Sequence, residues 1–129
     1  MTTFLFDNDI SPRIVRALRE LVHDHNLIAL RDVFAESARD TQWLPEAGKQ
    51  GWVVVSRDHN KRRRDSEHRA LIENKVKAIY IRQSGNPAEL FSDAARIIKQ
   101  WPKIQAWGLA AKSGSLAKLD TADKIVGLK

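Results

Sequence analysis

The sequence has no cysteine and no long apolar run. Without cysteine there is no disulfide, no thiolate metal site and no thiol nucleophile. Its uncharged stretches fall far short of the roughly 20 residues that cross a bilayer. The N-terminus carries neither the basic nor the apolar segment of a secretory leader, so a cytoplasmic protein with no membrane partner is expected. No repeat or low-complexity linker interrupts the chain. What remains is 129 residues with 43% hydrophobic content. A domain of that size buries roughly two-thirds of its unfolded surface, which suits a single domain over 1–129 with one core.

The net charge of +6 divides unevenly: residues 1–60 hold 7 basic and 9 acidic side chains, and residues 61–129 hold 15 and 7. A basic half suits a polyanionic partner, and an acidic half suits chemistry that needs carboxylates. Solvated charge without function is the bland alternative for both halves.

Thr3 to Phe6 is a short aromatic-rich run that reads as a buried strand ending at Asp7. Ser11-Pro12 supplies a cap and a first-turn proline for a helix carrying Ile14, Leu18, Leu21 and His25. Leu27 to Leu30 reads as a second strand, followed by a polar stretch from Arg31 to Asp40. A helix with Trp43, Leu44 and Ala47 comes next, and Gly48 and Gly51 help to end it. Trp52 to Ser56 is the clearest strand, because three successive valines stiffen the chain in extended form. Residues 61–75 read as a helix with Ala70, Leu71 and Ile72 inward, and Ala78 to Ile81 as a fourth strand. Asn86-Pro87 opens a helix whose apolar stripe from Leu90 to Trp101 stops at Pro102. Lys103 to Leu109 then reads as an edge strand and 112–129 as a tail or hairpin. Strands alternating with helices predict an α/β fold, its mainly parallel sheet covered on both faces.

In such a sheet the carboxyl ends of the strands open into one crevice. Asp7, Asp9, Asp32, Asp40 and Asp58 all follow strands or open helices on that side. Like charges at 4 Å repel by roughly 4 kcal/mol per pair at intermediate dielectric, and a divalent cation would hold them together. Oxygen ligands without His or Cys favour Mg²⁺ or Mn²⁺, the ions of phosphodiester chemistry.

The segments Phe6-Asp7-Asn8-Asp9-Ile10-Ser11-Pro12-Arg13, Leu30-Arg31-Asp32-Val33-Phe34, Asp40-Thr41-Gln42-Trp43-Leu44, Val53-Val54-Val55-Ser56-Arg57-Asp58 and Arg64 through Glu67 to Leu71 resemble the PIN-like domain ribonucleases of the VapC toxin type. The resemblance runs from residue 3 to about Trp101. It implies a three-layer α/β/α PIN-like fold and a Mg²⁺- or Mn²⁺-dependent ribonuclease in which Asp7, Asp40 and Asp58 bind the metal and carry catalysis. It also implies an RNA substrate, a cognate antitoxin that covers the acidic site or inserts a basic group, and a homodimer. A fourth family acid has no counterpart here: Asn60 offers only an amide oxygen. Asp9, Asp32, Asp65 and Glu67 form a second tier, Glu67 because a helix face could turn it toward the crevice.

Each acid also has a plainer role. Asp40 suits a helix cap, although Pro45 removes a backbone donor from that helix, and Asp58 and Asp9 suit turns. Lys61-Arg62-Arg63-Arg64 and Arg69 are expected to hold the RNA backbone. Four cations at a helix N-terminus oppose its dipole, so something must compensate; the plainer reading is a solvated face. His25 reads as core-edge, and His23, His59 and His68 as surface, with His59 able to assist proton transfer if its loop turns inward. Trp43, Trp52 and Trp101 read as core. Two other classes fit parts of the pattern: a receiver-like phosphoacceptor with Asp58 as acceptor and Ser84 after the fourth strand, and a non-catalytic nucleic-acid-binding module.

Overall fold

A computed structural model describes residues 1–35 and 38–128. The first strand, β1 (Thr3–Phe6), is followed by α1 (Pro12–Leu21), which Ser11 caps by accepting the Arg13 N–H. β2 (Asn26–Ala29) runs directly into a short helix, α2 (Leu30–Val33), so the expected polar stretch is partly helical; its residues 36 and 37 lie outside the described residues. Asp32 drives that turn by accepting the Ala29 N–H. The next elements are α3 (Asp40–Gln50), β3 (Val53–Arg57), α4 (Lys61–Glu73) and β4 (Lys77–Ile81). Gly51 ends α3 at φ 70, a left-handed conformation that suits glycine, whereas Gly48 lies inside the helix.

After a 3-10 turn at Pro87–Glu89 comes α5 (Leu90–Ala110), and the chain finishes with β5 (Leu116–Leu119) and β6 (Ile125–Leu128). α5 passes straight through Pro102, and the edge strand expected at 103–109 is helix. The apolar stripe does not stop at the proline: Trp101, Ile104 and Gly108 are all buried. An interior proline costs a helix about 3 kcal/mol, and burying an Ile returns about 1.5–3, so further packing beyond it keeps the helix intact. The hairpin expected beyond 112 is present as β5 and β6.

Six strands form one sheet in the order β2-β1-β3-β4-β5-β6, parallel except for β6. Alternation along the strands sends Phe4, Phe6, Val53, Val55, Ile79 and Ile81 to one face, where α1 and α5 cover them. Leu5, Val54, Ala78 and Tyr80 go to the other, beneath α3 and α4. The result is a three-layer α/β/α arrangement. Leu71 is the inward residue of α4; Ile72, expected inward, is 48% exposed. Phe6 pairs with Ala29 and Val55, so the carboxyl ends of β2, β1 and β3 align and their loops leave at one edge. Among the described residues no helix is long and apolar enough to cross a membrane.

Candidate active site at the sheet edge

Asp7 is the first residue beyond β1, pinned there by its N–H, which donates to Val55 O at 3.0 Å. By strand alternation it points to the α3/α4 face, as does Ser56 on β3. The two meet: the Ser56 hydroxyl donates to Asp7 Oδ2 at 3.1 Å, and the Asn8 N–H to Oδ1 at 2.7 Å. Asp40 is the first residue of α3, and its Oδ1 accepts the Trp43 indole N–H at 3.1 Å, an i,i+3 contact that α-helical spacing provides. Glu67 projects from α4, where it accepts the Tyr80 hydroxyl at 3.0 Å and Arg63 Nε at 3.3 Å. Asp7, Asp9, Asp40 and Glu67 line one cavity of about 480 Å³, walled by Trp43, Leu44 and Leu71.

This crevice is electrostatically strained. Burial pushes the Asp7 carboxyl up to about 6, and the charges of Asp9 and Asp40 add to the rise; the Asn8 and Ser56 hydrogen bonds only partly offset it. Asp9 is clamped on its other side. It accepts the Arg57 N–H at 3.1 Å, and His59 Nε2 lies 2.9 Å from its Oδ2, tying the loop after β1 to the loop after β3. His59 is therefore turned inward rather than lying on the surface. His68, also expected on the surface, is largely covered beside Tyr80. Burial and Glu67 hold the Tyr80 hydroxyl well above its ordinary range, so it stays a donor.

The other acids are placed differently. Asp58 donates its N–H to Ile81 O at 2.8 Å, but its carboxylate is paired with Arg64. It lines a separate cavity of about 210 Å³ with His59, Arg82 and Lys118. Asn60 caps α4 through its side-chain oxygen, which accepts the Arg63 N–H at 2.8 Å. Asp32 accepts from Arg19 at 2.6 Å, which holds its carboxyl below the usual range. Asp65 pairs with Lys61.

The basic run is compensated from within. Lys61 pairs with Asp65, Arg63 with Glu67 and Arg69 with Glu73, each four residues on, and Arg64 with Asp58. Arg62 is exposed and has no salt bridge among the described residues. Ser84, expected in a receiver-like site, is tied to Asp93 instead.

Among the described residues no three acidic or His side chains converge closely enough to cage an ion. Mg²⁺, however, takes one or two carboxylates and fills its remaining positions with water and phosphate oxygens. Asp7, whose charge is destabilised by burial and by its like-charged neighbours, and Asp40 across the same cavity fit that demand. Ser56, Trp43 and Tyr80, which orient the three acids, were not among the expected site residues. The period-2 alternation of β3 and the i,i+3 spacing of Asp40 and Trp43 are the sequence signals for the first two. The Tyr80 contact joins residues 13 apart in different elements and has no local signal.

A family model described as PIN like domain matches residues 2–83, which is more than half of the chain and contains every residue of the crevice. No curated protein and no solved structure gives a match.

Proposed function

The chain belongs to the PIN-like domain family, whose members are generally nucleases, and on that premise we propose that it is a metal-dependent endoribonuclease, the toxin of a toxin–antitoxin pair. The observation that carries this reading is Asp7: a part-buried carboxylate pushed up to about 6 by burial and two neighbouring acids is a group that a bound cation would relieve. Asp7 and Asp40 would hold Mg²⁺ or Mn²⁺. Such an ion supplies positive charge at a non-bridging phosphate oxygen and lowers the pKa of bound water.

The chain's own groups do the rest. Ser56 and the Asn8 N–H fix the Asp7 carboxylate, and Trp43 fixes that of Asp40, so neither has to be ordered when substrate arrives. Glu67, held by Tyr80 and Arg63, faces the same crevice and orients the attacking water. Exposed Arg62 holds the RNA backbone, and Arg63 lies on the crevice wall paired with Glu67, as Lys61, Arg64 and Arg69 are with their own carboxylates. Asp58, expected as a third ligand, lies in a separate cavity with its carboxylate paired to Arg64 at the start of α4. The acidic crevice would accept a basic side chain of a cognate antitoxin. The receiver reading is disfavoured because the acceptor it needs, Asp58, is already engaged by Arg64.

Cleavage of a labelled single-stranded RNA, with chelator or with Mn²⁺, tests the proposal. Wild type should cleave only with the metal, and Asp7→Asn and Asp40→Asn should each lower the rate by about 10²-fold or more with the fold intact by circular dichroism. Full metal-dependent cleavage by Asp7→Asn would sink the assignment. RNA binding without cleavage, indifferent to Mn²⁺ and to Asp7→Asn, would instead mark a non-catalytic module.

A further inference from the structure

A second cavity, of about 360 Å³, lies on the other side of the loop that follows β1. Alternation along β3 explains its content: Ser56 turns toward Asp7, and Arg57 turns to the opposite face. Arg57 Nε is buried and has no hydrogen-bond partner. Among the described residues neither Arg57 nor Arg13, which shares the cavity, has a salt bridge. The two acids that line the cavity are otherwise engaged. Asp9 accepts the Arg57 N–H and faces His59, and Asp93 accepts the Ser84 N–H and hydroxyl and the Gly85 N–H. The guanidinium packs against the backbone of Gly85, where a Cβ would run into Arg57 Nη1.

An orphaned buried N–H calls for an acceptor, and a guanidinium takes an oxyanion with Nε and Nη together. Asn8 and Asp9 line both this cavity and the Asp7 crevice, so the loop between them is a shared ridge. A strand with one phosphate at Asp7 and Asp40 would carry a neighbouring phosphate over that ridge. We infer that the Arg57 cavity is a phosphate-binding subsite, with Arg13 at its mouth, that seats a backbone phosphate of the nucleic-acid strand adjacent to the one presented for cleavage. The identity of the strand rests on the nuclease reading; the subsite itself rests on Arg57.

Two measurements on the full chain in chelator test it. Titration with inorganic phosphate, followed by the arginine Nε–Hε resonances, should shift Arg57 saturably. Binding of a single-stranded oligoribonucleotide by fluorescence anisotropy should weaken about 10-fold in Arg57→Gln, with the salt slope reduced by about one. Arg57→Lys should keep the slope and lose part of the affinity, because it lacks the fork. With Mn²⁺, Arg57→Gln should raise KM and leave kcat unchanged. A phosphate titration that leaves Arg57 unmoved, together with wild-type RNA affinity and KM in Arg57→Gln, would overturn the subsite while leaving the nuclease intact. Phosphate binding at Arg57 in a chain that cleaves no RNA would uphold the subsite and overturn the nuclease reading.

Discussion

Asp7 accepts two hydrogen bonds that favour its charge, yet burial and the neighbouring Asp9 and Asp40 outweigh them and push it up to about 6. In the unfolded chain the same carboxyl titrates near 3.8. Between those values the native state binds more protons than the unfolded state, so in the metal-free protein this group makes stability fall as pH rises from about 4 to 6. Asp7→Asn removes the penalty. Urea unfolding in chelator should find it more stable than wild type by about 1–3 kcal/mol at pH 7, with the difference gone near pH 4. Equal stability at pH 7 would show that the crevice does not strain Asp7. The position of Asp7 was legible because an aromatic strand stops at it. Asp58 follows the same rule after β3, but Arg64, one turn into α4, takes its carboxylate. The basic run hid its own neutralisation, although the i,i+4 pairs to Asp65, Glu67 and Glu73 are written in its spacing.

At the scale of elements, α3 and α4 frame the crevice, and their separation is set by a close approach. A Cβ on Gly48 of α3 would collide with the Asn74 carbonyl at the end of α4. Backbone atoms cannot swing aside as a flexible side chain can. Gly48→Ala should therefore cost about 1–3 kcal/mol, and because Asp40 opens α3 it should also weaken Mn²⁺ binding. Denaturant unfolding together with a Mn²⁺ titration checks both, and wild-type values in each would show that α3 does not set the site. Periodicity made β1, α1, α3, β3, α4 and β4 readable to within a few residues. α5 departs from that reading because burial of Ile104 and the packing of Gly108 outweigh the local cost of Pro102. A Cβ on Gly108 would lie 2.7 Å from Phe4 Cε1, a closeness that shows how tightly the helix beyond Pro102 lies on the sheet.

Across the whole molecule the family match covers residues 2–83, the part that builds the crevice, while α5 and the β5–β6 hairpin complete the sheet and its cover. The net charge of +6 is distributed in a way that the total conceals. Most of the α4 cations are paired, whereas Arg13 and Arg57, which have no salt bridge among the described residues, lie on the far side of the β1 loop from the acidic crevice. The charge asymmetry along the sequence pointed to a polyanion; only the alternation of β3 assigns Arg57 to the far side. If Asp7 and Asp40 hold the divalent ion, anomalous scattering from a crystal soaked in Mn²⁺ should show a peak in the crevice between them; a peak beside Asp58 instead, or none in protein that cleaves RNA with Mn²⁺, would contradict that assignment.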